Sequence, residues 1–560
     1  MAKAVAGAGV ILTAFLSAPE GPVEPGGFDF RRMAFFQQLG AVGYSRTPLL
    51  LLEEPVAGEA VISRLRSYLT QAMLAEMPGQ AGAFAAGAMT GDRSAITQDT
   101  VKALRDSSLA HLLAISGMNM AFLVAFVFGL IRYGLALIPP VALRVNTKKV
   151  AAGVSFGVAL FYLLLSGSNV ATERAFIMVS VMLGAVLLDR RALTLRTVSI
   201  AGIILLIARP ESLTEPGFQM SFAATVALIA GFAVLDRAVL RERMPRWTVP
   251  AFMLVFSSVI AGFATAPYAA AHFNRFTDYG LLANLLTVPV MGAVVMPAGA
   301  VAALLAPIGL AGPALWVMQQ GSAWILWVAH WIAGLDGAVT AIPTPGPWVM
   351  PLITLGGIWI ILWRGRAQLV GVAALAAAFA LWTQAERPPL IISADGKLLG
   401  LIGPEGRALS AASGGGFAAQ NWLEDDGDLA DQKLAAARPG FTGIKGEVWF
   451  TIGADKAVAI SGKGALDRLA PACATGALVI LAEEAEVIPP DCRLIDQLLL
   501  RETGPLAFWP GSEGPKVVKT KAQSRIWSGK ITAARPFPSL SGQDPPLAVT
   551  AADQARINPP

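Results

Sequence analysis

Between residues 111 and 383 the chain carries about ten apolar runs separated by short polar loops. A helix needs roughly 20 mostly apolar residues to cross the hydrocarbon of a bilayer. Backbone in lipid must satisfy its own hydrogen bonds, so runs of this length span as helices. The runs are 111–131, 150–167, 171–188, 197–208, 217–236, 250–271, 281–309, 312–335, 348–363 and 367–383. Only 14% of the 560 residues are charged and 55% are hydrophobic, against about 25% charged in a soluble domain. The fold class is therefore an α-helical polytopic membrane protein with about ten transmembrane helices. No cleavable signal peptide is evident, because residues 1–18 hold no long apolar run and Pro and Gly follow at 19–27.

Loop charge sets the expected orientation. Arg144, Lys148 and Lys149 follow the first run. Asp189, Arg190, Arg191 and Arg196 follow the third, Arg237, Arg241, Arg243 and Arg246 the fifth, and Arg364 and Arg366 the ninth. The loops between these, at 167–169, 209–216, 273–279 and 336–347, carry little positive charge. The basic loops are expected in the cytoplasm. The run 281–309 contains Pro289 and Pro297 and is either one broken helix or two short segments; broken helices occur where backbone lines a cavity. Counted as one crossing, it leaves both chain ends on the outer face. Counted as two, it reverses the C-terminal end.

The flanks read as soluble. Residues 1–55 mix a strand-like VAGAGVILTAFL with a turn-rich stretch closed by Pro25-Gly26-Gly27. Residues 56–110 alternate apolar and polar side chains at helical spacing, which predicts amphipathic helices on the membrane surface or packed on the bundle, with a break at 87–96. The spanning domain is 111–383. From 384 the pattern turns to short apolar stretches divided by Asp-Gly and Pro-Glu-Gly turns, which is hairpin patterning. A small β or α/β soluble domain is expected over 384–560, with a Pro-rich tail from 540.

Polar side chains inside apolar runs are the candidate functional residues, because they must face protein, a cavity or the interface. His111 opens the first run as either an interfacial cap or a channel residue. Ser116 and Asn119 are three apart and share a face, and Gly117 permits close helix approach. Arg174 near the start of the third run requires a partner or a water-filled cavity. Glu215 is better placed as that partner than the adjacent Glu173, since neighbours on a helix diverge. Gln219 and Ser221 follow Pro216, which pre-sets a helix start that favours anions. Asn284 precedes Pro289 and is placed to satisfy backbone freed there. Cys473 and Cys492 are either a disulfide or two buried thiols. The histidines are His111, His272 and His330 alone, and no phosphate-binding Gly-rich loop with Lys occurs.

Four ordered blocks then carry a family resemblance. HLLAISGMNM at 111–120 resembles the HLLAISGLHM signature of the ComEC competence-channel family, and MTGDRSAI and LRDSSLAHLL resemble its run-in. NVATERAFIMVSVMLGAVLLDRR (169–191), LIARPESLTEPGFQMSFAATVAL (206–228) and FNRFTDYGLLANLLTVPVMG (273–292) resemble three further blocks of that family. PGGFDFRRMAFFQQLGAVGY (25–44) resembles the end of its N-terminal OB-like domain, so 1–55 is expected to be a remnant of that domain and the chain a shortened member.

The resemblance implies an inner-membrane channel that passes single-stranded DNA into the cytoplasm during natural transformation. His111, Ser116, Gly117, Asn119, Arg174, Gln219, Ser221 and Asn284 would line its path. Asn119 stands where the family usually has histidine. The C-terminal region resembles a degenerate metallo-β-lactamase-like domain. The nuclease of that domain type needs an HxHxDH metal cluster, and this chain has no histidine after His330. No enzymatic activity and no cofactor are therefore expected. Expected partners are single-stranded DNA, membrane lipid, a separate DNA receptor and a cytoplasmic motor. The expected location is the bacterial inner membrane, with the C-terminal domain in the periplasm. A secondary transporter of a small anionic solute is the alternative that an interrupted helix and polar residues at mid-membrane also suit.

Overall fold

The computed structural model describes residues 6–54, 58, 60–113, 117–167, 169–237, 244–453, 455–509, 516–521 and 525–528. The chain divides into two compact units: Met1–Leu12 with Pro48–Thr340, and Thr13–Thr47 with Ala341–Pro560.

Among the described residues, seven helices are long and apolar enough to cross a membrane. Six of them belong to the first unit: Gly117–Ala136, Thr147–Leu165, Val170–Leu187, Pro216–Arg237, Val249–Phe273 and Gly280–Ile308. The remaining expected spans differ for visible reasons. Leu195–Ala208 and Val349–Leu362 have 14 residues each, too few to span unaided. Ala311–Ala333 has 23 residues, but Gln319, Gln320 and His330 lower its hydropathy.

The sequence sets these helices through their ends. Asn146 and Asn169 accept hydrogen bonds from the Lys149 and Thr172 amides and so start two helices. Thr194 and Thr197 form a reciprocal capping box on a third. Asn274, in the left-handed region at φ 55°, ends the Val249–Phe273 helix. The disputed run from 280 to 308 is one continuous helical path. It is α-helical over Gly280–Val290, passes through a π turn at Met291–Val295 and resumes at Met296–Leu305. Pro289 removes a backbone donor just before the π turn, where the ladder widens.

The segment 60–107 departs from the expected pattern. Val61–Glu76 has a largely exposed face, but Gly79–Thr90 is buried over Gly82–Ala88 in the core of the bundle. Ala and Gly dominate that helix, so the Ala311–Ala333 helix packs closely on it. The break begins at Gly91, in the left-handed region at φ 82°, rather than at 87. Arg66 of Val61–Glu76 donates to the Leu165 and Leu164 carbonyls and closes the C-terminal end of the Thr147–Leu165 helix.

The second unit contains two further apolar helices, Val349–Leu362 and Gln368–Trp382, packed as a hairpin. Gly356 and Gly371 let the backbones meet: a Cβ on Gly371 would lie 2.6 Å from the Gly356 carbonyl oxygen. The same unit holds two five-stranded sheets. One is fully antiparallel, in the order Lys516–Lys519, Leu506–Trp509, Leu390–Ile392, Leu399–Gly403, Gly406–Leu409. The other is mixed: Thr442–Ile444, Glu447–Ile452, Asp455–Ile460, then Leu478–Leu481 and Arg493–Ile495 in parallel. Alternate side chains face the space between them, where Leu390, Ile392, Phe450, Ile480 and Phe508 form the core. Trp422 packs on the outer face of the first sheet, and Leu469 and Cys473 on that of the second. The result is a four-layer α/β/β/α sandwich.

Residues 13–47 are built into this unit. The buried Trp422 indole donates to the Val23 carbonyl at 3.0 Å. Arg387 reaches Glu24 at 2.7 Å and Asp426 at 2.8 Å. Asp426 also binds Arg407, whose side chain is fully buried, through two bonds of 2.5 and 3.0 Å. Arg407 further donates to the Gly400 and Pro388 carbonyls. The cluster holds three carboxylates, Glu24, Asp425 and Asp426, against two guanidiniums, and Thr344 binds Asp425 at 2.7 Å. Burial pushes the Glu24 carboxyl up to about 7 despite Arg387 beside it, and raises that of Asp425.

Candidate functional site

At one end of the bundle the start of Val170–Leu187, the end of Leu195–Ala208, the turn Pro210–Thr214 and the start of Pro216–Arg237 converge. They enclose a cavity of about 50 Å³ lined by Glu173, Arg174, Arg209 and Ser212 with Val170, Ile177, Leu205, Ala208 and Phe218. Two guanidiniums therefore share one small space. Arg209 is paired with Glu173 at 2.7 Å. The carboxylate that acts on Arg174 electrostatically is Glu215.

Arg174 lies against the first turn of Pro216–Arg237. A Cβ on Gly217 would come within 2.8 Å of its Nη1 atom. Glycine at 217 is thus what leaves room for the guanidinium. The 22-residue helix beginning at Pro216 also presents its positive end here. Two Arg side chains and a helix start beside two carboxylates make a site that is electrically balanced when empty, with cationic groups set to receive an anion.

Gln219 and Ser221 extend this region along the same helix. Gln219 Oε1 and His272 Nε2 are 2.8 Å apart, and Gln219 Nε2 donates to the Leu213 carbonyl. Ser221 Oγ lies 3.8 Å from Met178 Sδ, on the helix that also carries Arg174. These residues join the loop 209–216 to two neighbouring helices.

The other candidates bond within their own segments. His111 Nδ1 is 2.9 Å from the Ser108 carbonyl oxygen and is half-buried. Asn119 is fully buried and donates from Nδ2 to the Leu112 carbonyl at 3.1 Å. It thereby ties the long helix to the short turn Ala110–Leu113 that precedes it. Ser116 lies outside the described residues. Gly117 faces the Ala175 methyl, 3.8 Å from where a Cβ would sit, so these helices approach closely. Asn284 donates to the Gly280 carbonyl one turn back, at 2.8 Å, and not to the carbonyl left by Pro289. In the second unit the Cys473 and Cys492 sulfurs are bonded, with Cα atoms 4.9 Å apart.

Sequence reasoning missed Arg209, His272 and the pair Asp106–Arg275, which meets at 3.0 Å with both side chains largely buried. Arg209 sits in a loop otherwise poor in positive charge. That isolation was the available signal: a lone cation beside apolar runs needs a carboxylate. Among the described residues, no three His, Cys, Asp or Glu side chains are grouped so as to hold a metal ion.

Comparison with known proteins agrees with this region. The family model described as Competence protein matches residues 89–367. The chain is similar to ComE operon protein 3 of Bacillus subtilis, with 26% identity over 295 residues, 52% of this chain and 35% of that one. It is similar to Recombination protein 2 of Haemophilus influenzae, with 25% identity over 280 residues, 49% and 34% of the two chains. It also matches the Uncharacterized protein YcaI of Escherichia coli, 25% identical over 310 residues, 54% and 38% of the two chains. The chain spans roughly a third of the length of these relatives. No solved structure matches. The match covers the helices that build the two-arginine cavity, and the chain belongs to the competence protein family.

Proposed function

We propose that this chain forms a conduit for single-stranded DNA through the bacterial inner membrane during natural transformation. The observation that carries the proposal is the placement of Arg174 and Arg209 around one cavity at a single end of the helices matched by the competence family. Arginine binds phosphate oxygens in a forked, bidentate manner, and that recognition is independent of base sequence. The family model described as Competence protein, with a relative named Recombination protein 2, supports a role in DNA uptake rather than solute transport.

In this reading the two-arginine end faces the periplasm. The loops at 209–216 and 273–279 carry fewer basic residues than those after 143, 188 and 236. The continuous path from 280 to 308 supports counting that run as one crossing; with each of the ten apolar runs taken as a crossing, our reading puts the C-terminal sandwich in the periplasm as well. The Cys473–Cys492 bond supports an oxidising compartment for it. We assign the sandwich to the metallo-β-lactamase-like class in degenerate form, acting without hydrolysis. A zinc nuclease site of that class requires imidazole ligands, and no histidine follows His330. Strand separation, initial capture and the inward motor belong to separate proteins.

The test is uptake of fluorescently labelled DNA into cells lacking the protein and complemented with wild type or with Arg174→Ala. Loss of uptake in the deletion, restored by wild type but not by the variant, is expected. Unchanged transformation in the deletion strain would overturn the proposal.

A further inference from the structure

The DNA path as proposed includes Arg174; the inference here rests on that reading and concerns the residues that set how long a phosphate stays. We propose that Glu173 is a built-in competitor for phosphate: it holds Arg209 closed in the empty site and is displaced, one phosphodiester at a time, as the strand passes. Glu173 and Arg174 are adjacent in sequence, so they leave the helix in different directions. Arg174 turns toward Gly217, while Glu173 turns toward the neighbouring helix end and meets Arg209 at 2.7 Å. Both arginines nevertheless line the same cavity of about 50 Å³.

A carboxylate presents two oxygens to a guanidinium in the same fork that a phosphodiester does. Glu173 therefore occupies the place that phosphate oxygens would take on Arg209, while Glu215 acts on Arg174 electrostatically. An incoming phosphate exchanges one anion for another and leaves no guanidinium without a partner. Both partners of the Glu173–Arg209 pair are about a third exposed, 28% and 35% by side chain, so the exchange does not require opening the core. A conducting site must bind well enough to admit its cargo and weakly enough to release it. A pair of arginines without a resident anion would hold the strand.

Replacing Glu173 by Gln keeps the size and removes the competing charge. The full chain in lipid nanodiscs is titrated with a fluorescent oligothymidylate at low and moderate salt. Glu173→Gln is expected to bind about two- to fivefold tighter than wild type, and Arg209→Ala weaker. In cells, Glu173→Gln is expected to lower transformation in spite of its tighter binding. Arg209→Lys keeps a charge without the fork and is expected to lie between wild type and Arg209→Ala. Monodisperse elution and an unchanged melting midpoint establish that each variant is folded. Should Glu173→Gln misfold, Glu173→Asp is used instead: its shorter reach weakens the pair, and it is expected to bind the strand tighter than wild type. Equal or weaker binding by a folded Glu173 variant, with the wild type binding the strand, overturns the competitor role and leaves the conduit standing. Absence of binding by wild type together with normal uptake in the deletion strain overturns both.

Discussion

Glu173 pairs with Arg209, just past the end of the next helix, and not with Arg174, the residue beside it in the chain. This choice fixes the chemistry of the cavity, because it leaves Arg174 to face the start of the helix at Pro216 with Glu215 as its counter-charge. The arginine that the apolar run made conspicuous and the arginine that the loop concealed thus belong to one site.

Gly217 separates room for Arg174 from helix stability. Gly217→Ala adds a methyl 2.8 Å from the present Arg174 Nη1 position and must move the guanidinium. Alanine also improves helix propensity by up to about 1 kcal/mol. The expected outcome is a variant with equal or higher melting temperature and reduced DNA uptake, measured by thermal unfolding in detergent beside transformation frequency.

Asn119 is buried and bonded to the Leu112 carbonyl. Asn119→Leu removes that donor and inserts a bulkier apolar group beside helices that meet closely at Gly117 and Ala175. A loss of about 1–3 kcal/mol is expected. Accumulation of folded protein in the membrane, followed by size-exclusion chromatography, measures it.

The Glu24 cluster predicts a pH dependence for the docking of residues 13–47. Burial raises the folded-state value of Glu24 from 4.5 to about 7. The docked form then binds the extra proton between these values. Its contribution is complete below about 4.5 and is lost as pH rises through about 7, on the order of 1–3 kcal/mol. Arg387, Arg407, Asp425 and Asp426 face the same group. Amide hydrogen exchange in residues 20–36, corrected for intrinsic rates, is expected to be slower at pH 6 than at pH 8. Glu24→Gln should flatten this difference; an unchanged difference would assign it elsewhere.

The Cys473–Cys492 bond closes a loop with a sequence separation of 19. A loop of that size stabilises by about 3 kcal/mol in the chain-entropy model. Dithiothreitol, or Cys473→Ser with Cys492→Ser, is expected to lower the urea midpoint of the C-terminal sandwich, followed through tryptophan fluorescence, without changing the membrane helices.

Some of this architecture is written locally. The hairpin at 399–409 follows from Pro404-Glu405-Gly406, where Gly406 takes φ 97° and lets the two strands pair directly. Helix starts at 147 and 170 follow from one asparagine each. Other features were not local. The lengths of the helices within the apolar runs were not legible, because an apolar run does not show where its helix ends, as the 14-residue Leu195–Ala208 illustrates. The burial of Gly79–Thr90 was hidden because small side chains look weakly apolar until a neighbour covers them. Within the candidate site Arg174, Gln219 and Ser221 stood out as polar residues in apolar surroundings. Arg209 and His272 did not, because their partners Glu173 and Gln219 are supplied by other helices.

The hydrogen bond from Trp422 to Val23 joins residues 399 positions apart. At a synthesis rate of about 5–20 residues per second, the early segment emerges roughly 20–80 s before its indole partner exists. During that interval Val23, which packs against the Trp422 cluster in the folded chain, has no sandwich to meet, and the helices between are still being inserted. The order of manufacture therefore makes residues 13–47 a late arrival: first made, last placed. A ribosome stalled before residue 422 would display them to protease, and release of the full chain would withdraw them.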